Sequence, residues 1–439
     1  MRCKKYRYCA RSMFMCLFLL FIENSHAAPY DITKKKLHAH VNFLCSDALE
    51  GRLTGTSGEK LATQYIANLF RELGLEPAGD HGTFFQEFNF NAGVFLGKNK
   101  ATTMSNQQGR NVLAKLKMSP NSARMIVIGA HVDHLGHGQL SGSRARNYEN
   151  GMIHAGADDN ASGVASILEV AAQLSSLKAQ GKLHGNKDIL FAIWSGEELG
   201  ILGSSHFVKN YIKPATNKLP RPTLDAVINL DMVGHLRKSL VLQGLGSSTD
   251  WLKVINNIGT NHTIPLIMHN DPYLPTDSTS FYLHGIPTLN LFTGAHDNYH
   301  TPRDTPDTLN YAGIKKISEF LVELTLALES RLLPMSFQAV EKPKSNLERG
   351  FKIYLGTIPD YASAEVIGVK LSGVAKNSPA ERAGLQQNDV IVKLAAQDIH
   401  DIYDYTAALN ALPVGKPVSL KVLRGNKQVA LMIIATYRE

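Results

Sequence analysis

Five short segments of this 439-residue chain carry residue types that can hold metal ions and move protons. In Gly129-Ala130-His131-Val132-Asp133 an imidazole and a carboxylate stand two apart, so on an extended strand they project to the same side. A carboxylate near a histidine is a usual device for orienting a metal ligand. Asp158 and Asp159, in Gly156-Ala157-Asp158-Asp159-Asn160-Ala161-Ser162-Gly163, precede the apolar-periodic run Val164–Leu177. Trp194-Ser195-Gly196-Glu197-Glu198-Leu199-Gly200 places two adjacent glutamates where an apolar strand ends. They cannot both point the same way, so one can bind metal while its neighbour faces a water as general base. Asp231 ends the apolar run Ile228–Leu230, a costly position for a carboxylate unless a metal or partner satisfies it. Asn298-Tyr299-His300-Thr301-Pro302-Arg303-Asp304-Thr305 presents His300 on a proline-containing loop, with the Tyr299 hydroxyl beside it.

Each segment has a plainer explanation when taken singly: a hydrogen-bonded strand-end histidine, a helix cap, glutamates at a helix dipole. Together they supply two histidines, three carboxylates and a spare glutamate. Imidazole and carboxylate without thiolate suit catalytic zinc or a similar divalent ion, not a closed structural site. Two such ions roughly 3.5–4 Å apart polarise a carbonyl and make water nucleophilic near neutral pH, so hydrolysis is the expected chemistry. Spacing alone does not choose between Asp158 and Asp159.

The elements that must position these groups alternate. Short β-branched runs at Asn111–Leu116, Met125–Ala130, Asp188–Trp194, Ala226–Leu230 and Pro287–Phe292 read as buried strands. Helical runs at Ala161–Leu177, Glu198–Tyr211 and Asp250–Ile258 lie between them. Two more helices precede this region, the second with Leu61, Tyr65, Ile66, Leu69, Phe70 and Leu73 on one face; a long one follows, carrying Ile314, Ile317, Leu321, Leu324 and Leu328. The pattern implies an α/β fold, an α/β/α sandwich around a mixed, largely parallel sheet, whose catalytic groups cluster beyond the carboxyl ends of strands.

Residues 35–330 resemble the dizinc aminopeptidases of metallopeptidase family 28, whose segments run in this order. Phe43-Leu44-Cys45-Ser46-Asp47-Ala48-Leu49-Glu50-Gly51-Arg52 also resembles that family's N-terminal signature. The resemblance implies two zinc ions: His131 and Asp231 complete one site, Glu198 and His300 the other, and Asp159 bridges them. It implies Glu197 as general base, Asp133 as the group orienting His131, and Tyr299 as a donor to the developing oxyanion. It also implies a cis peptide after Asp159. His134, His137, His154 and His296 match no ligand position and are read as loop residues. The expected substrates are peptides, cut at a free N-terminus, with a carboxypeptidase or a glutaminyl cyclotransferase on the same fold as the alternatives. The His131-x-Asp133 pair counts against the cyclotransferase.

Residues 334–346 read as a linker. Residues 347–439 resemble a bacterial-type PDZ domain, through Tyr354-Leu355-Gly356-Thr357 as carboxylate-binding loop and through Ser378-Pro379-Ala380-Glu381-Arg382-Ala383-Gly384-Leu385-Gln386-Gln387-Asn388-Asp389-Val390-Ile391. Such domains take a peptide C-terminus by adding a strand to a sheet edge. The domain plan is therefore 1–27, 28–333, 334–346 and 347–439.

Residues 1–27 read as a cleavable signal peptide. Arg2, Lys4, Lys5, Arg7 and Arg11 precede the apolar run Met13–Ile22, and Ser25-His26-Ala27 offers small residues for cleavage. That run is about ten residues, too short for a stable membrane anchor, so a periplasmic or secreted enzyme is expected. Cleavage takes five of the 46 basic and one of the 38 acidic residues, lowering the net charge from +8 to +4. The remaining excess is mild and spread out, which argues against a nucleic-acid partner. It also leaves Cys45 as the last cysteine, so no internal disulfide is available, and its apolar neighbours make it a buried structural thiol.

Overall fold

The computed structural model describes residues 30–90, 107–120, 122–138, 142–212, 223–258, 264–341, 353–359, 366–374, 377–400, 404–405, 408–409 and 411–437. The expected signal peptide and part of the expected linker lie outside these. Among the described residues no helix is long and apolar enough to cross a membrane.

Among the described residues, seven α-helices and nine strands build the first unit: α1 (Lys34–Leu44), α2 (Ser57–Glu72), β1 (Glu76–Pro77), β2 (Phe85–Phe90), β3 (Gln107–Leu116), β4 (Arg124–His131), α3 (Gly163–Ala179), β5 (Lys187–Trp194), α4 (Leu202–Ile212), β6 (Thr223–Leu230), β7 (Leu240–Gln243), α5 (Trp251–Asn257), β8 (Leu266–His269), α6 (Asp277–Tyr282), β9 (Thr288–Phe292) and α7 (Tyr311–Glu329). The strands form one sheet in the order β1-β3-β5-β4-β6-β9-β7-β8, with β2 paired to β3. Its centre, β5-β4-β6-β9, is parallel, while β3 against β5 and β7 against β9 are antiparallel.

The central strands are buried on both faces, so they carry continuous apolar runs instead of alternation. Ile126, Ile128 and Ala130 of β4 pack with α1, α2, α3, α5 and α7 on one face; Met125 and Val127 pack with Phe207 of α4 and Phe281 of α6 on the other. The result is a three-layer α/β/α sandwich. In α7 all five residues of the expected apolar face are buried. In α2 the inward face is Ala62, Ile66, Ala67 and Phe70, and Leu61, expected on it, is half exposed. Thr56 caps α2, its hydroxyl accepting from the Glu59 amide. Cys45 packs against the core, where burial pushes its thiol up to about 12, as suits an inert structural cysteine.

A second hydrophobic core contains only residues from 353 onward. It is built from β10 (Ile353–Tyr354), β11 (Thr357–Pro359), β12 (Val369–Val374), α8 (Pro379–Arg382), β13 (Val390–Leu394), β14 (Gln397–Asp398), β15 (Pro417–Arg424), β16 (Lys427–Ile434) and β17 (Thr436–Tyr437). The main sheet runs β11-β12-β13-β15-β16, leaving β11 at an edge. Leu355 and Gly356 connect β10 to this edge strand; Gly356 takes φ +80, and the Leu355 carbonyl accepts from the Ala380 amide at 2.7 Å. The Thr357 hydroxyl lies 2.5 Å from that of Tyr405.

Candidate active site

Four parallel strands deliver the site at one edge of the sheet. His131 is the last residue of β4, Glu197 and Glu198 follow β5, Asp231 follows β6, and the loop after β9 carries Tyr299 and His300. Asp159 comes from the turn Ala157–Ser162 that opens α3. This is the carboxyl-end location at which open α/β sheets place their chemistry.

Two donor sets meet on one carboxylate. His131 Nε2 lies 3.2 Å from Asp159 Oδ1 and 3.4 Å from Asp231 Oδ1. His300 Nε2 lies 3.1 Å from Asp159 Oδ2 and 3.1 Å from Glu198 Oε2. One oxygen of Asp159 thus serves each set, while Asp158 points elsewhere. Asp158 Oδ1 accepts from the Gly234 amide at 2.5 Å and from the Ser162 hydroxyl at 3.0 Å; its Oδ2 meets His296 Nε2 at 3.1 Å. The Asp159–Asn160 peptide is cis. The Asp304 carboxylate accepts from the Asp158 amide at 3.0 Å and the Asp159 amide at 3.1 Å, and the Asn160 amide reaches the Leu230 carbonyl at 2.8 Å. These bonds, the Asn160 one from its side-chain Nδ2, hold the turn against β6 and the His300 loop.

Asp133 acts through backbone as much as through His131. Its Oδ1 is 3.8 Å from His131 Nδ1, whose hydrogen-bond partner at 3.2 Å is the Asp133 carbonyl oxygen. The carboxylate accepts from the Glu197 amide at 3.1 Å and from the Thr54 hydroxyl at 3.0 Å, so it also fixes the two-glutamate turn. Behind it, the Ser195 hydroxyl donates to Glu59 Oε1 at 2.5 Å. Burial pushes the Glu59 carboxyl up to about 7.

The two adjacent glutamates are driven in opposite directions. Burial raises Glu198, but His300 and His134 outweigh it and hold it at about 2. Burial also raises Glu197, and with Asp231, Asp277 and Glu198 nearby it stays well above the ordinary carboxylate range despite His131. Burial lowers His131 and His300, yet their carboxylate partners prevail: His131 is raised strongly and His300 reaches about 10. A cluster of buried anions compensated only by imidazoles is the charge pattern that bound divalent cations neutralise. The donor set fits such ions: Asp159 contributes to both positions, and each position has its own imidazole and second carboxylate.

His134 lies, as expected, in the loop after β4. Read as a loop histidine, it is fully buried, with Nδ1 2.8 Å from Glu198 Oε1 and 3.8 Å from Asp159 Oδ2. It joins Asp159 and Glu198 in a cluster able to hold a metal. The signal was present: it follows His131 by three residues at the same strand end. His296 pairs with Asp158, and His154 bonds the Ser143 hydroxyl at 2.8 Å. Arg52, quoted above only as part of a signature, is fully buried and donates to the carbonyls of Val132, Leu44, Ala155 and Gly156 at 2.5–2.9 Å. It therefore ties the His131 and Asp159 segments together.

Asp159, Glu197, Glu198, Asp231, Tyr299 and His300 all line one cleft of about 290 Å³. The Tyr299 ring stacks on that of His300, centroids 3.8 Å apart.

Residues 111–325 match the family model for peptidase family M28, and residues 336–434 that for the PDZ domain. The chain therefore carries a peptidase M28 domain. The chain is 29% identical over 227 residues to the alkaline phosphatase isozyme conversion protein of Escherichia coli, a match covering 52% of this chain and 58% of that protein. Leucine aminopeptidase 1 of Sclerotinia sclerotiorum is 25% identical over 304 residues, covering 64% of this chain and 67% of its own. The fold of a Bacillus subtilis zinc aminopeptidase superposes with a TM-score of 0.52 at 17% identity, covering 72% of this chain and 100% of that one. The fold of a Fimbriiglobus ruber glutaminyl cyclase superposes as well, with a TM-score of 0.53 at 18% identity, covering 69% of this chain and 97% of that one.

Proposed function

We propose that this M28 protein is a two-metal aminopeptidase that acts on peptides with a free N-terminus, outside the cytoplasm as its N-terminal segment suggests. The observation that carries the reading is the pair of donor sets sharing Asp159, with Glu197 beside them and bound into neither. His131 and Asp231 would hold one ion, His300 and Glu198 the other, with His134 against Glu198. When bound, the ions supply Lewis acidity for a carbonyl and for a water. Glu197 takes the proton of the attacking water and delivers it to the departing amine, a task that suits a carboxylate with a raised pKa. Asp133 fixes the orientation of both glutamates. The Tyr299 hydroxyl donates toward the oxygen that gains charge as the carbonyl is attacked. The complete donor pair His131 and Asp231 favours hydrolysis over the single-metal cyclotransferase chemistry that the same fold supports.

The test is hydrolysis of aminoacyl-anilides, N-blocked peptides and N-terminal glutaminyl peptides, with and without chelator. Chelator-sensitive release from unblocked substrates is expected; preference for blocked peptides, or cyclisation without hydrolysis, would overturn the reading. For the C-terminal domain, the Tyr354-Leu355-Gly356-Thr357 loop beside edge strand β11 supports capture of a peptide C-terminus. Fluorescence anisotropy with free and amidated peptides tests this directly.

A further inference from the structure

The cleft opens beside Asp231 into a side pocket of about 150 Å³. The two share Asp231, Met232, Pro275 and Tyr299. Met232, Phe292 and Tyr299 give the pocket apolar walls, but Gln243 and Asn290 line it from the sheet. Amides are unusual at the centre of a sheet because burying one costs free energy unless it is paired.

These amides belong to a row. Asn229 stands opposite Asn290 across β6 and β9, and Asn290 opposite Gln243 across β9 and β7. Their exposures are 1%, 3% and 5%. Asn229 Nδ2 donates to Asn290 Oδ1 at 3.0 Å, and Asn290 Nδ2 donates to Gln243 Oε1 at 2.9 Å. The far end agrees with this direction. Asn229 is in register with Gly129, and a Cβ on Gly129 would fall 2.4 Å from Trp194 Nε1. Trp194 Nε1 and Asn229 Oδ1 are both buried without a partner. An indole N–H can only donate, so the direction that those two bonds give, with the Asn229 oxygen and not its NH2 left over at this end, is the one compatible with it. At the near end this leaves the NH2 of Gln243, which meets no acceptor among the described residues.

We propose that this pocket receives the side chain of the substrate's N-terminal residue and selects an uncharged side chain ending in a carbonyl, asparagine or glutamine, over an aliphatic one of equal size. The inference rests on the aminopeptidase reading above. With the scissile carbonyl in the cleft, the first side chain is the branch nearest the shared wall. No lysine, arginine or histidine lines the pocket and its one carboxylate is Asp231, on the wall shared with the cleft, so a substrate carboxylate would be buried without a counter-charge, and a substrate ammonium reaching Gln243 would meet another donor there, with Asp231 already facing His131. An aliphatic side chain would cover the Gln243 NH2 without pairing it. Sites built to hydrogen-bond a substrate group discriminate strongly against analogues lacking that group, for this reason.

The experiment compares kcat/KM of the zinc-loaded full-length protein on the 4-nitroanilides of asparagine and its isostere leucine, and of glutamine and its isostere homoleucine. At least a tenfold preference for one amide over its isostere is expected. Gln243→Leu should abolish or invert the preference at unchanged metal content. Gln243→Glu, which still accepts from Asn290 but offers no N–H, should abolish it too. Equal or faster turnover of both aliphatic substrates by the unaltered protein would overturn the proposal. If no anilide is cleaved, the aminopeptidase reading fails, and the pocket is then read by thermal shift with the four aminoacyl hydroxamates. Amide-selective stabilisation that disappears in Gln243→Leu would still support it; unselective or absent stabilisation would overturn it.

Discussion

Glu197 and Glu198 are chemically identical neighbours separated by environment. Glu198 sits among imidazoles that hold it charged, and Glu197 lies where burial and three carboxylates favour its proton. Glu197→Gln is expected to keep both metals, measured by atomic absorption, and to lose about 10²–10⁴ in kcat. Glu198→Ala should instead lose metal; the opposite pattern would mean the two roles are reversed. His154 predicts a pH effect on stability. It is 0% exposed, and burial, then the nearby His134, lower it from 6.5 to about 4. The folded protein therefore resists a proton that the unfolded chain accepts. Its contribution is fully present above pH 6.5 and is lost as pH falls toward 4, by up to about 3 kcal/mol. His154→Gln should reduce the difference in urea midpoint between pH 7.5 and 5; an unchanged difference would show that His154 does not titrate in this way.

At the scale of elements, the strand ends do most of the positioning, and Arg52 locks one of them, that of β4, to the turn that opens α3. Its guanidinium reaches four carbonyls from three segments of chain, a fan of donors that no other side chain supplies. Arg52→Leu takes the guanidinium donors from all four carbonyls, of which that of Gly156 keeps a second donor, the Ala161 amide, and should cost about 3–5 kcal/mol. Arg52→Lys should recover little, since an ammonium cannot span them. Urea titration with parallel metal analysis checks both; full rescue by lysine would reduce Arg52 to a charge effect. The sequence shows Arg52 only as a letter in a signature, because three of its four partners are backbone atoms 80 to 104 positions away. The five central strands were legible because burial on both faces writes itself as an apolar run. The short strands β7 and β8 were not, and with them the amide row was missed: its members are neighbours only once β6, β9 and β7 pair. Most of the candidate ligand segments could be read because they follow a strand end, with Asp159 at the turn that opens α3 as the exception, whereas the contact of His134 with Glu198 forms only once the turn after β4 has folded.

For the whole molecule, the two cores share no residue, and the question is where the first one ends. Composition placed a linker at 334–346, and the PDZ match begins at 336. The structure puts the described part of that stretch against the peptidase core. Met335 is buried in that core, and its amide donates to Asp225 Oδ1 at 3.1 Å. The Ser336 amide donates to Asp250 Oδ2 at 2.9 Å, and the Gln338 amide to the Ser247 carbonyl at 2.8 Å. The Val340 amide donates to the Tyr282 hydroxyl at 2.6 Å, while its carbonyl accepts from the Tyr273 hydroxyl at 3.0 Å. Tyr282 belongs to α6, next to Thr276 of the side pocket. A chain ending at Lys344 should therefore fold with the thermal midpoint of the full-length peptidase unit and retain its metals. One ending at Pro334 loses the Met335 contact and these bonds, each worth about 1 kcal/mol, and loosens the support of α6. It should melt several degrees lower and show weaker discrimination between amide and aliphatic anilides. Calorimetry of the two truncations beside the full chain decides the matter: equal midpoints would make 335–340 a passive tether, and loss of folding in both would mean that the peptidase unit depends on its PDZ neighbour.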